Sequence, residues 1–197
     1  ANDVTARLAA ERRLELSHRR AEILAQTAHR LLAADDPQRI IDDLCTEVMR
    51  FLRCDVFFNY LAVDAPQRLR LNAYGGIPPE EAARIDWRDF GTAVCGCAAR
   101  EGQRVLVEDI PRANDPRTTL VSGYGVLAYC CHPIMSQGLV LGTLSFGTRS
   151  RTSFSDEDIS MMAAVAQHVA VALQRLRDRK ALRESREDLN RAQAVAH

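Results

Sequence analysis

From Ser155 to His197 the chain contains neither proline nor glycine. An uninterrupted helix over those residues, at about 1.5 Å per residue, is roughly 60 Å long, about twice the diameter of a small domain. Such a helix cannot lie wholly on the domain that it closes. Met162, Val165, Ala166, Val169, Leu173 and Leu176 make a wide apolar face over its first half. The second half is charged, with a thin seam at Leu182, Leu189, Ala192 and Val195. The step from Leu176 to Leu182 breaks the heptad register. The first half is expected to pack on a sheet, and the second to project beyond it and pair with a second copy.

The amino-terminal end poses the same problem. From Thr5 to about Ala34 the chain reads as helix, with Leu8, Leu24, Ala28, Leu31 and Leu32 at helical spacing among many Arg and Glu. Its first turns are polar on most faces, and a segment of that kind needs a partner helix. Asp35-Asp36-Pro37 ends it and starts the next, with Asp36 as N-cap and Pro37 at the first helical position. Ile40, Ile41, Leu44, Cys45, Val48, Met49 and Leu52 then form one broad apolar face.

Between the helices lie strand patterns rich in β-branched and aromatic residues. Cys54 to Val63 reads as a strand that turns at Asp64 to Gln67 into Arg68 to Tyr74. A short helix is expected at Glu80 to Arg84, a loop at Trp87 to Gly91, and a small-residue helix from Thr92 to Arg100, stopped by Gly102. Arg104 to Val107 reads as a strand, and Arg112 to Ser122 as a polar loop with one helical turn. Gly125 to Met135 and Leu139 to Gly147 follow as strands joined at Ser136-Gln137-Gly138. Ser155 and Asp158 then stand at capping-box spacing before the last helix. An antiparallel sheet with helices on one face makes this an α+β domain.

Acidic and basic residues number 26 each, so no net field favours nucleic acid or an anionic membrane. No apolar run is read as approaching the roughly 20 residues of a membrane helix, and no signal-like stretch opens the chain, so a cytoplasmic location is expected. Ala1 is not an initiator residue, which suggests a segment of a longer protein. The cysteines are Cys45, Cys54, Cys95, Cys97, Cys130 and Cys131, all in apolar or strand-like contexts, and a reduced state is the default.

Gly91 to Ile110, GTAVCGCAAREGQRVLVEDI, followed by Gly125 to Arg151, GVLAYCCHPIMSQGLVLGTLSFGTRSR, resembles a GAF domain, a sensor module of bacterial signalling proteins. The resemblance implies a GAF/PAS-like antiparallel sheet of five or six strands. Long terminal helices would cover one face, and a loop-roofed pocket would occupy the other. It divides the chain into a signalling or linker helix (1–22), a GAF domain (23–175) and a carboxyl-terminal linker helix (176–197). Arg183 to His197, RESREDLNRAQAVAH, is similar to the lead-in helix of a PAS domain. Together these imply an internal module of a bacterial two-component sensor histidine kinase, with a diguanylate cyclase or another output also open.

No P-loop, dinucleotide glycine pattern or nucleophile elbow is present, and none of the five histidines stands in a kinase phosphoacceptor context. The segment is therefore expected to be regulatory, with any catalysis in adjacent domains. Cys95-Gly-Cys97 lies near a helix N-terminus, where the dipole lowers a thiol pKa. Cys130-Cys131-His132 lies in a strand, where neighbours face opposite ways. Cys95, Cys97 and Cys131 are candidates for a thiol switch. With His132 they have the ligand types for zinc or iron but match no standard spacing, so no metal and no cofactor is expected. Cys131-His132 superficially matches the bilin attachment of photoreceptor GAF domains but sits inside a strand. The Asn-Lys-Phe-Asp-Glu signature of cyclic-nucleotide binders is absent. A pocket roofed by Trp87, Phe90, Val94 and Cys95, with Tyr124 and Tyr129 entering from the strand side, would suit a small or planar ligand. Equally, those side chains could plug the domain and leave a purely structural dimerisation module. A parallel homodimer through Leu24, Leu31, Leu173, Leu176, Leu182 and Leu189 is expected in either case.

Overall fold

The computed structural model describes residues 2–63 and 67–195. Helix α1 (Asn2–Ala33) is followed by α2 (Pro37–Phe51), whose N-cap Asp36 accepts the Gln38 N–H at 3.1 Å. Strands β1 (Val56–Val63) and β2 (Arg68–Gly75) come next. Asp64, Ala65 and Pro66 of the expected turn between them lie outside the described residues. Then follow α3 (Pro79–Arg84), β3 (Trp87–Asp89), α4 (Ala93–Glu101) and β4 (Val105–Val107). Short helical turns α5 (Ile110–Ala113) and α6 (Thr119–Gly123) flank a 3-10 turn at Pro116–Thr118. β5 (Ala128–Ser136), β6 (Leu139–Thr148) and α7 (Asp156–Val195) complete the order. The Asp158 N–H bonds Ser155 Oγ at 3.1 Å, the cap that the spacing predicts.

All six strands form one antiparallel sheet in the order β3-β2-β1-β6-β5-β4. Two segments depart from the sequence reading. Trp87 to Asp89 is an edge strand rather than a loop, paired as Arg68–Asp89, Leu69–Arg88 and Arg70–Trp87. Its outer residues face solvent, so no apolar alternation marks it; the Arg68–Asp89 ion pair at 2.8 Å helps hold it. Arg112 to Ser122 is mostly wound, because Pro111 and Pro116 sit in first-turn positions and Asp115 accepts the Arg117 N–H at 2.9 Å.

Strand alternation divides the interior in two. Phe57, Cys130, Ile134, Leu144 and Phe146 point toward α1, α2 and α7, where they meet Ile23, Ile41, Val48, Met162, Val165 and Leu173. Val56, Phe58, Tyr60, Tyr129 and Cys131 point the other way, beneath α4 and the short turns. Each fully buried large apolar side chain stabilises its layer by about 1.5–3 kcal/mol.

The terminal helices run parallel. Arg20 of α1 reaches Asp158 of α7 at 3.4 Å, and Arg179 of α7 reaches the Asp35 carbonyl just past α1 at 3.3 Å. Consequently α1 protrudes at one end of the domain, with Leu8 and Leu14 exposed, and α7 protrudes at the other, with Leu182 and Leu189 exposed. The sequence reading overlooked one feature of α7: an 18-residue window has the length and composition to cross a membrane, and 44% of it is buried inside the fold. Its methionines, valines and alanines are the residues that cover the sheet, which accounts for that apolar character.

Candidate functional site

On the sheet face away from the terminal helices, the start of α4 is held down by glycine. The Gly91 N–H bonds the Gly96 carbonyl at 2.7 Å, and a Cβ on Gly96 would stand 2.3 Å from the Asp89 carbonyl oxygen. Only a residue without a side chain allows α4 this close to the end of β3. Thr92 offers no side-chain cap, so the positive end of α4 is left to act on Cys95 in its first turn.

Beneath α4 the strands supply a polar group in an apolar layer. Cys95 Sγ lies 3.3 Å from Tyr129 Oη and 3.7 Å from Ser145 Oγ. Tyr129 donates to Ser145 at 2.6 Å, and Ser145 donates to the Phe58 carbonyl at 3.1 Å. Cys131 pairs with Ser145 across β5 and β6 and is buried in the same layer as Cys95. Hydrogen bonding from Cys131 pulls the Cys95 pKa down against the effect of burial, with help from Tyr129, Ser145 and the Arg88 guanidinium. Burial, reinforced by Cys95, pushes Cys131 well up, and burial raises Tyr129 as well. The proton-releasing tendency of this group is thus concentrated on one sulfur.

A cavity opens beside that sulfur, lined by Phe58, Tyr60, Arg88, Val94, Cys95 and Tyr129, with Arg117 and Val121 from the wound segment. Its free space is about 10 Å³, room for about one water molecule. Among the residues expected to form a pocket, Val94, Cys95 and Tyr129 are brought together here. Tyr124 stands at the margin, its ring 6.4 Å from that of Phe58 and its hydroxyl 3.5 Å from Glu81. Phe90 lines a separate groove with Ala99, Leu139 and Val140. Trp87 is 41% exposed on the sheet edge and roofs nothing; the guanidiniums of Arg68 and Arg70 stack on its ring at 4.8 and 5.4 Å. Sequence reasoning missed Phe58, Arg88, Arg117 and Ser145, which only the strand register and the wound segment bring to this place.

The remaining thiols lie elsewhere. Cys97 donates to the Gly91 carbonyl at 3.3 Å, and Cys130 faces the opposite layer, 3.8 Å from His132 Nδ1. Among the described residues no group of three or more His, Cys, Asp or Glu is placed to hold a metal ion. A wider surface groove near Asp36, Asp42 and Tyr74 has polar walls that already pair, Arg39 with Asp36 at 3.2 Å and Asn72 with Asn59 at 3.0 Å.

The GAF domain family model matches residues 34–174. The chain belongs to the GAF domain family. No curated protein matches it. Solved structures resemble this GAF domain in fold. The GAF domain of a phosphoenolpyruvate-protein phosphotransferase from Coxiella burnetii superposes with a TM-score of 0.71 at 19% identity, over 82% of this chain and 96% of that one. A free methionine-R-sulfoxide reductase from Neisseria meningitidis, solved with its substrate, gives 0.70 at 19% identity over 81% and 90%. A domain assigned to a two-component sensor histidine kinase of Sinorhizobium meliloti 1021 gives 0.61 at 18% identity over 76% and 99%. At such identities the likeness is one of fold.

Proposed function

We propose that this GAF domain is a non-catalytic sensory module of a longer bacterial signalling protein. It would couple a small-molecule or redox input at the α4 cavity to a dimeric output through its terminal helices. The observation that carries this reading is the division of the sheet. On one face β1 and β5 present Phe58 and Tyr129 to the cavity and β6 presents Ser145 to Cys95, and on the other they present Phe57, Cys130 and Phe146 to the α1/α2/α7 layer. A change in the cavity therefore acts on strands that the helices rest upon.

In this reading residues 1–22 and 176–197 are linker helices and 23–175 the sensor. The parent is a cytoplasmic sensor histidine kinase with a PAS domain following, and two copies pair in parallel through the seam of Leu182 and Leu189, flanked by the half-buried Leu24 and Leu176. Leu31 and Leu173, expected in the pairing, are instead buried in the domain's own core. The exposure of Leu182 and Leu189 supports the pairing. Analytical ultracentrifugation of the full segment should show a dimer at about ten micromolar, toward the weak end of the affinity scale for specific complexes. A monomer at that concentration would refute the pairing.

The near-filled cavity favours a second reading, a structural dimerisation module with no input. Native mass spectrometry of purified protein and thermal-shift screening separate the two: a bound small molecule or a raised melting temperature supports the sensor. Turnover of free methionine-R-sulfoxide in the presence of a dithiol would overturn the non-catalytic assignment itself.

A further inference from the structure

We propose that Cys95 and Cys131 form a peroxide-responsive disulfide site beneath α4, with Cys95 as the attacking sulfur and Cys131 as the resolving one. The proposal deepens the sensor reading, on which its meaning for the parent protein rests, by naming the input. Among the described residues these two thiols alone share one polar cluster. Cys45, Cys54 and Cys130 belong to the layer beneath α1, α2 and α7, and Cys97 is tied to the Gly91 carbonyl.

The pair joins a helix to the sheet beneath it. Cys95 rides on the first turn of α4, whereas Cys131 lies in β5 opposite Ser145 of β6 and Val105 of β4. The Tyr129 and Ser145 hydroxyls lie 3.3 and 3.7 Å from the Cys95 sulfur and turn their protons to it when it ionises, and the Arg88 guanidinium lines the same cavity, an environment that favours thiolate. The adjoining space admits a molecule about the size of water. Hydrogen peroxide is scarcely larger, so the site selects it over alkyl hydroperoxides by size.

The chemistry balances without a cofactor. The Cys95 thiolate attacks one peroxide oxygen, the O–O bond breaks, and the departing hydroxide takes up the proton that Cys95 gave up, leaving water and a sulfenic acid. The Cys131 sulfur then attacks the Cys95 sulfur. The S–O bond breaks, and hydroxide leaves with the Cys131 proton as a second water. Two thiols lose two electrons and two protons, and one hydrogen peroxide becomes two waters. A dithiol reverses the bond by exchange.

Native reduced protein titrated with hydrogen peroxide, alkylated and peptide-mapped should yield a Cys95–Cys131 cross-linked peptide that dithiothreitol removes. The cross-link should be lost in Cys95→Ser and in Cys131→Ser and kept in Cys97→Ser and Cys130→Ser. In Cys131→Ser, dimedone should label Cys95, and in Cys95→Ser it should leave Cys131 unlabelled. A bond to any other cysteine, a dimedone adduct on Cys131, or no oxidation of the native wild-type pair overturns the proposal. The wild-type map decides the matter even if a serine variant unfolds. Absence of the cross-link leaves a ligand-driven sensor standing. Formation of the cross-link without any change in α7 spacing between spin-labelled copies keeps the disulfide but removes the redox arm of the sensor reading.

Discussion

Two residues illustrate how a single side chain, or the lack of one, sets the behaviour of this domain. Gly96 stands where a Cβ would meet backbone rather than a flexible side chain. Gly96→Ala should therefore cost about 1–3 kcal/mol, the usual range for overpacking, and lower the thermal midpoint. An unchanged melt would show that α4 sits less tightly on β3 than described. His132 lies in the opposite layer, its Nε2 without a partner, and burial together with the Arg104 charge depresses its pKa from 6.5 to about 4. The unfolded chain binds a proton below about 6.5 while the folded one does not until about 4. Stability is hence full above that window and falls as pH drops through it, by on the order of 3 kcal/mol from this group. Urea melts across the window should show that loss, and His132→Leu should flatten it. Equal slopes in both proteins would assign the acid sensitivity elsewhere.

At the scale of elements, the junction of α1, α7 and β6 hangs on one carboxylate. Asp158 receives Arg151 at 2.9 Å and Arg20 at 3.4 Å, and Arg151 also donates to the Leu52 carbonyl at 2.6 Å. The Asp158 side chain is 9% exposed but those of Arg20 and Arg151 are 25% and 35% exposed, so Asp158→Ala should cost about 1.5–3 kcal/mol in chemical denaturation. A loss below about 1 kcal/mol, typical of surface pairs, would show the junction to be solvent-screened. Neither arginine was legible as part of this junction, since 138 residues separate Arg20 from its partner. Elements with a strong period were legible: α2, β1, β5, β6 and the packed half of α7 fall within a few residues of their expected bounds. β3 was not, because three residues with solvent-facing ends carry no period. The wound segment after Asp109 was partly hidden because its helical turns rest on proline placement and an Asp115 side-chain bond rather than on an apolar stripe.

For the whole molecule, sequence showed that both termini outrun the domain but not that they leave from opposite ends; that follows from the parallel contacts of Arg20 and Arg179. The cavity was half legible for a related reason. Val94, Cys95 and Tyr129 sit in the motif itself, but Phe58 and Ser145 join them only through the register of β1, β6 and β5. Ending the chain after Arg179 removes the exposed Leu182 and Leu189, so dimerisation should weaken at least tenfold, a change of about 1.4 kcal/mol. The thermal midpoint of the domain should stay the same. Sedimentation equilibrium paired with calorimetry checks both, and an unaltered dimer would move the interface to α1 and the packed half of α7.

The opposite exits of α1 and α7 make the domain a keeper of angular phase. Each residue added to a helix turns everything beyond it by about 100°, while seven residues complete nearly two whole turns. A neighbour attached through α7 is therefore indexed to this domain by residue count, as a gear is by teeth. One residue inserted after Leu182 would aim that neighbour sideways, whereas seven would move it along the axis and leave its bearing almost as before.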